Sequence, residues 1–151
     1  MTCIIATPRY MCADRRVTAE GESGSMVKVA KNRWLIAAAS GWAGCSLAIV
    51  RAVRKGAQLP EDLIEHVDKD SYALVLTPDG RMQEISGGFL WACGAPINAI
   101  GSGADLAIGW LHGAGLADPS PKDLKSAQAF VAKRRVDCGG GSDVRFFLTG
   151  D

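Results

Sequence analysis

No apolar run reaches the roughly 20 residues that a bilayer-spanning helix requires. The richest stretch, Trp34 to Val50, is interrupted by Ser40, Gly41 and Gly44. Neither sign of charge is in excess. With 17 Lys and Arg against 16 Asp and Glu the net charge is +1, too little to draw in nucleic acid or an anionic membrane, and neither is expected as a partner. The five cysteines (Cys3, Cys12, Cys45, Cys93, Cys138) include no C-x-x-C pair, which disfavours a metal knuckle or a dithiol redox motif; free thiols in a reducing, cytoplasmic setting fit best. The two histidines, His66 and His112, have no H-E-x-x-H context, so no metal is expected. Gly101-Ser102-Gly103 lacks the third glycine of a dinucleotide fingerprint, Leu106 standing in its place, and Gly139 to Gly141 has no Lys-Ser/Thr sequel of a phosphate loop. The opening Met-Thr-Cys-Ile-Ile-Ala lacks the basic region and longer apolar core of a secretory signal, so the N-terminus is expected to belong to the mature fold.

What remains is a chain of 151 residues with 48% hydrophobic content, sized for one domain over 1–151 with one buried core. Cys3 to Thr7 and Tyr10 to Thr18 read as the arms of a hairpin broken at Pro8 and Arg9. A Gly/Ser/Glu loop from Glu20 to Ser25 precedes strands at Met26 to Lys31 and Trp34 to Ala39. From Gly41 to Lys55 the apolar positions Cys45, Ala48, Ile49, Ala52 and Val53 recur at helical spacing, with Arg51, Arg54 and Lys55 at the C-terminal end. Pro60 to Glu65 suggests a helical turn; Tyr72 to Leu76 and Arg81 to Ile85 pair across Pro78-Asp79-Gly80. Ile97 to Ile100 is a short strand, and Leu106, Ala107, Trp110 and Leu111 follow at helical spacing. Ser120 with Pro121 and Asp123 marks the start of a helix to Arg135, ended by Gly139, and Val144 to Leu148 is a last strand. The helix positions Trp42, Trp110 and Leu111 read as core or subunit contacts. Strands and helices do not alternate as βαβ units, and helices outside two stacked sheets satisfy the order.

Several segments in order are more specific. Thr2-Cys-Ile-Ile-Ala, Ala13-Asp14-Arg-Arg-Val-Thr18, Val27-Lys28-Val29, Leu35-Ile-Ala-Ala-Ala-Ser-Gly-Trp-Ala-Gly44, Ala99-Ile-Gly-Ser-Gly103 and Val136-Asp137-Cys-Gly-Gly-Gly-Ser-Asp-Val144 resemble the corresponding stretches of proteasome β-subunits and the bacterial peptidase HslV. The resemblance spans nearly the whole chain and implies an α+β fold, the four-layer αββα sandwich of N-terminal-nucleophile hydrolases.

It also implies roles. Thr2 would be the nucleophile once Met1 is removed, its own α-amine serving as base. Lys28 would favour the alkoxide, and Asp14 would hold that lysine. Ser102 and Asp137 would orient the amine and a water, and backbone N–H groups around Ala38, Ala39 and Ser40 would form the oxyanion hole. The sequence departs from the family at two points: the glycine near the oxyanion hole is replaced within Ala37 to Ser40, and Gly140 stands where a serine is expected. The implied function is a threonine peptidase acting on peptides or unfolded protein, without cofactor, assembled as a homo-oligomeric ring. Nothing in the sequence indicates an ATPase unfoldase, ring size or cleavage preference. Two alternatives stand beside it: a structural protein that kept the fold but not the chemistry, such as a ring component of a phage virion, and an amidase acting on a small amide.

Overall fold

The computed structural model describes residues 2–19 and 22–148. Two antiparallel sheets carry the fold. The first has the order β10-β1-β2-β11 (Asn98–Ile100, Ile4–Ala6, Tyr10–Asp14, Ser142–Phe146), the second β5-β6-β7-β8-β9 (Val29–Lys31, Ile36–Ser40, Tyr72–Leu76, Met82–Ser86, Phe89–Ala92). A separate hairpin pairs β3 (Arg16–Ala19) with β4 (Glu22–Ser25). Helix α1 (Ala43–Arg54) lies on one side, α2 (Ala104–Gly113) and α3 (Pro121–Arg134) on the other, and Pro60–His66 forms a 3-10 turn.

The layering follows from the alternation of side chains along strands that are apolar on both faces. Ile4, Ala6, Met11, Ala13, Ile36, Ala38, Leu74 and Leu76 meet between the sheets. The intervening Cys3, Ile5 and Cys12 pack against Ala107 and Leu111 of α2 and Leu124, Ala127 and Val131 of α3. On the far side Ala37, Ala39, Ala73 and Val75 receive Cys45, Ile49, Val50 and Val53 of α1. The result is the expected αββα sandwich. Strand β6, Ile-Ala-Ala-Ala-Ser, is fully buried along its length because each of its faces is a packed interface.

Two strands escape the sequence reading. Residues 22–25, expected as a loop, form β4, which is exposed throughout and pairs only with β3, so no burial pattern marks it; Glu20 and Gly21 of that expected loop lie outside the described residues. Strand β9 follows Gly87 and Gly88, both at positive φ (58° and 81°), a two-residue hairpin loop of the kind glycine favours. The final strand begins at Ser142, two residues before the expected Val144.

Register determines what meets at one end of the sandwich. Ile4 pairs with Ala13 and with Ile100, which sets residues 2–3 beside Asp14 on one flank and beside residues 101–102 on the other. Asp14 pairs with Ser142 of β11, and Val29 with Ala38, so Lys28 and the end of β6 arrive from the facing sheet.

Candidate active site

Thr2, Asp14 and Lys28, separated by up to 26 positions in the chain, form one buried cluster, 2%, 1% and 3% exposed respectively. The Thr2 hydroxyl donates to Asp14 Oδ1 and accepts from Lys28 Nζ. Lys28 Nζ is 3.1 Å from Asp14 Oδ1 and also donates to the Arg16 carbonyl. Asp14 is held further by two backbone donors, Cys3 N–H on Oδ1 and Gly139 N–H on Oδ2, each at 3.0 Å. Charge-assisted bonds of this kind offset the cost of burying a carboxylate. Burial pushes the Lys28 ammonium below its ordinary value, and the attraction of Asp14 opposes that push.

Two cavities adjoin Thr2. One of about 260 Å³ is lined by Thr2, Val17, Thr18, Gly41, Trp42 and Ser46 among others; the second, about 240 Å³, by Thr2, Ser40, Gly41, Tyr72, Gly101 and Ser102 among others. Trp42 is 73% exposed at the rim of the first, so of the two expected roles, core or subunit contact, it does not fill the first. Of the three positions expected to supply the oxyanion hole, Ala38 and Ala39 are buried inside β6, Ala38 being paired on both edges with Val29 and Leu74. Ser40, at the strand end, lines the second cavity. The next residue, Gly41, lines both cavities at φ 115°, and a Cβ there would stand 2.4 Å from Ser71 Oγ. Immediately after it, α1 begins with no side-chain cap and no acid in its first turn, so unneutralised N–H dipoles point toward this end of the sandwich.

Solved structures with this architecture include eukaryotic HslV from Trypanosoma brucei, 19% identical, with a TM-score of 0.67 over 95% of this chain and 97% of that one. The fold is that of HslV. BPH of Thiobacillus denitrificans is similar over 99% of both chains, with 15% identity and a TM-score of 0.70, and a structure of that protein in complex with epoxomicin matches equally well at 12% identity. Anbu from Hyphomicrobium sp. strain MC1 has a TM-score of 0.73 at 12% identity, over 97% of this chain and 81% of that one. No protein-family model matches the sequence, and no curated protein matches it.

Within this HslV-type fold the Gly101-Ser102-Gly103 turn crosses the start of β1. Gly101 has φ 96°, and a Cβ on it would lie 2.1 Å from the Thr2 carbonyl oxygen, so only glycine lets the turn pass this close. Gly103 N–H donates to that same carbonyl at 3.4 Å. Ser102 thereby lines the Thr2 cavity, and its Oγ is 3.5 Å from Cys138 Sγ. Asp137 makes a two-point contact with Arg135, Nε to Oδ1 at 3.2 Å and Nη2 to Oδ2 at 3.3 Å. Burial pushes the Asp137 carboxyl up, but hydrogen bonds from Arg135 and Ser102 outweigh it and hold the carboxyl below its ordinary value. The five site residues expected from sequence thus fall into two adjacent groups: Thr2, Asp14 and Lys28, and beside them Ser102 with Asp137. Cys138, read from sequence as an ordinary thiol, lies within the second. The expected removal of Met1 concerns a residue outside the described ones.

Proposed function

We propose that the chain is a threonine-type N-terminal-nucleophile hydrolase of peptide bonds, with Thr2 Oγ1 as nucleophile. The observation that supports it best is the placement of that oxygen between the Lys28 ammonium and the Asp14 carboxylate, at the wall of two cavities. With Met1 removed, the α-amine of Thr2 takes the hydroxyl proton as Oγ1 attacks the scissile carbonyl carbon. The Lys28 ammonium stabilises the oxygen as it loses that proton. The carbonyl oxygen becomes an oxyanion, and the Gly41 N–H, at a residue that lines both Thr2 cavities, together with the uncapped start of α1, is the donor set assigned to it. Collapse expels the peptide amine, which carries away the proton held by the α-amine, and leaves an ester on Thr2. Water, deprotonated by the same amine, then releases the acyl product and restores the hydroxyl.

The mass of the intact chain tests the first requirement, since a protein that keeps Met1 quantitatively has no free base. Thr2→Ala should remove hydrolysis of fluorescently labelled casein and leave the fold intact. Epoxomicin offers a second test, because an epoxyketone joins both the hydroxyl and the amine of an N-terminal threonine. Wild type should gain its mass, and the Thr2→Ala chain should not.

Assembly as a homo-oligomeric ring belongs to the same proposal. The exposed Phe89 and Trp91, paired at 5.9 Å on the open edge of the second sheet, are the kind of apolar surface that subunit contacts bury. Light scattering reads the mass directly. A second reading, a non-catalytic particle component, draws on the depth of Thr2 at 2% exposure; robust casein hydrolysis that depends on Thr2 would dispose of it. A cytoplasmic enzyme and a virion component are separated by where the native chain fractionates, and casein against small-amide turnover separates a peptidase from an amidase.

A further inference from the structure

Cys138, in contact with Ser102 and Asp137, has no role in the scheme above. Cys138 is fully buried, yet its sulfur is not in a purely apolar setting. Its thiol donates to Asp137 Oδ1 at 3.8 Å and stands 3.5 Å from Ser102 Oγ. Ser102 also hydrogen-bonds the Asp137 carboxylate, so hydroxyl, thiol and carboxylate form one cluster at the wall of the Thr2 cavity that Ser102 lines.

We propose that Cys138 is a positioning residue: its thiol bridges Asp137 to Ser102 and thereby fixes the hydroxyl of Ser102 toward the α-amine of Thr2. This rests on the reading of Thr2 as an N-terminal nucleophile. Three features build the bridge. Asp137 is anchored on its outer side by the two-point contact with Arg135, so its position does not depend on the thiol. Gly103 leaves the space: a Cβ there would lie 3.2 Å from Cys138 Sγ and 2.9 Å from Cys3 Cβ. Gly140, two residues beyond Cys138, offers no hydroxyl of its own, so the thiol is the donor at hand. Burial pushes the Cys138 thiol up, which keeps its proton in place as a donor at neutral pH.

The test compares processed wild type with Cys138→Ala, Cys138→Ser and Thr2→Ala on labelled casein across pH. Loss of one neutral hydrogen bond should lower kcat in Cys138→Ala by roughly 3- to 10-fold with KM unchanged, and Cys138→Ser, which keeps donor and acceptor, should stay within about twofold of wild type. Ser102 accepts from the amine and so favours its charged form; in Cys138→Ala the acid limb of the kcat profile should therefore move to lower pH, and in Cys138→Ser it should return. A packing role alone predicts similar losses in both variants and no movement of the limb. The infrared S–H stretch, isolated as wild type minus Cys138→Ala, supplies a readout that needs no turnover: Asp137→Asn should shift it toward the frequency of an unbonded thiol, and an unshifted band overturns the bridge. If hydrolysis depends on Thr2 but Cys138→Ala matches wild type, the bridge alone is wrong. If wild type shows no Thr2-dependent hydrolysis, the nucleophile assignment fails and carries the bridge with it.

Discussion

Replacing Lys28 by Met removes a charge and leaves the length of the side chain almost unchanged, so its effect isolates the buried ion pair. In the native site Asp14 has four donors: the Thr2 hydroxyl, the Cys3 and Gly139 N–H groups, and the Lys28 ammonium 3.1 Å away. Lys28→Met strips away the only cation among these four and leaves a carboxylate that is 1% exposed. Breaking a buried pair in this way costs about 3–5 kcal/mol, because the remaining charge is uncompensated. For a domain of this size that is roughly 6–20 °C in Tm. The two backbone donors do not depend on Lys28, which places the expectation near the low end, about 3 kcal/mol. Asp14→Asn in the Lys28→Met background removes the orphaned charge and should recover more than half of the loss, while peptide hydrolysis stays absent. Urea unfolding of wild type, both single variants and the double variant gives the coupling energy directly. A Lys28→Met chain within about 0.5 kcal/mol of wild type, or a coupling indistinguishable from zero, would refute the claim that these two charges share one desolvated site.

Three further outcomes follow from the geometry. Gly101→Ala, which sets a Cβ 2.1 Å from the Thr2 carbonyl oxygen at φ 96°, should cost more than about 2 kcal/mol in chemical denaturation and lower activity by displacing Ser102. Asp143 is 7% exposed, and its hydrogen bonds from Arg15 hold its carboxyl below the ordinary value. Its contribution to stability is therefore complete above the usual carboxylate value of 3.8 and is lost as pH falls through the depressed one; Asp143→Asn should flatten that part of the acid unfolding curve and leave the rest unchanged. Ser120→Ala removes the acceptor for Asp123 N–H at 3.2 Å and should lower Tm by roughly 2–4 °C, read by differential scanning calorimetry.

The elements legible from sequence are those whose signal is local. The α3 start was readable because Ser120, Pro121 and Asp123 carry a capping box within four positions, and the structure has both of its hydrogen bonds. Helix α1 was readable from its apolar spacing, although its expected start at Gly41 falls two residues early because Gly41 is the tight turn before the helix. β4 was not readable, since Glu-Ser-Gly-Ser is held by pairing to β3 alone and has no buried face. β9 had a signal that went unused, the Gly87-Gly88 pair ahead of Phe-Leu-Trp. For the site, no local pattern announces that Asp14 meets Lys28; that contact exists because β2 and β5 belong to facing sheets. Resemblance supplied the pair; at the oxyanion hole, a run of small residues gives no landmark for register. The place of Cys138 between Ser102 and Asp137 had no sequence signal, because a thiol's partners are set by tertiary contact.

The run of alanines in β6 carries a consequence for how this protein can vary. With Ile36 and Ala38 turned to one sheet and Ala37 and Ala39 to α1, no position in the strand faces solvent and none is free to drift. Enlarging any of them wedges two layers apart, and the layer on the α1 side ends in the turn that brings Gly41 to Thr2. Random substitution across 37–39 should return survivors limited to small apolar residues, and among folded survivors the loss of catalytic rate should follow the added side-chain volume.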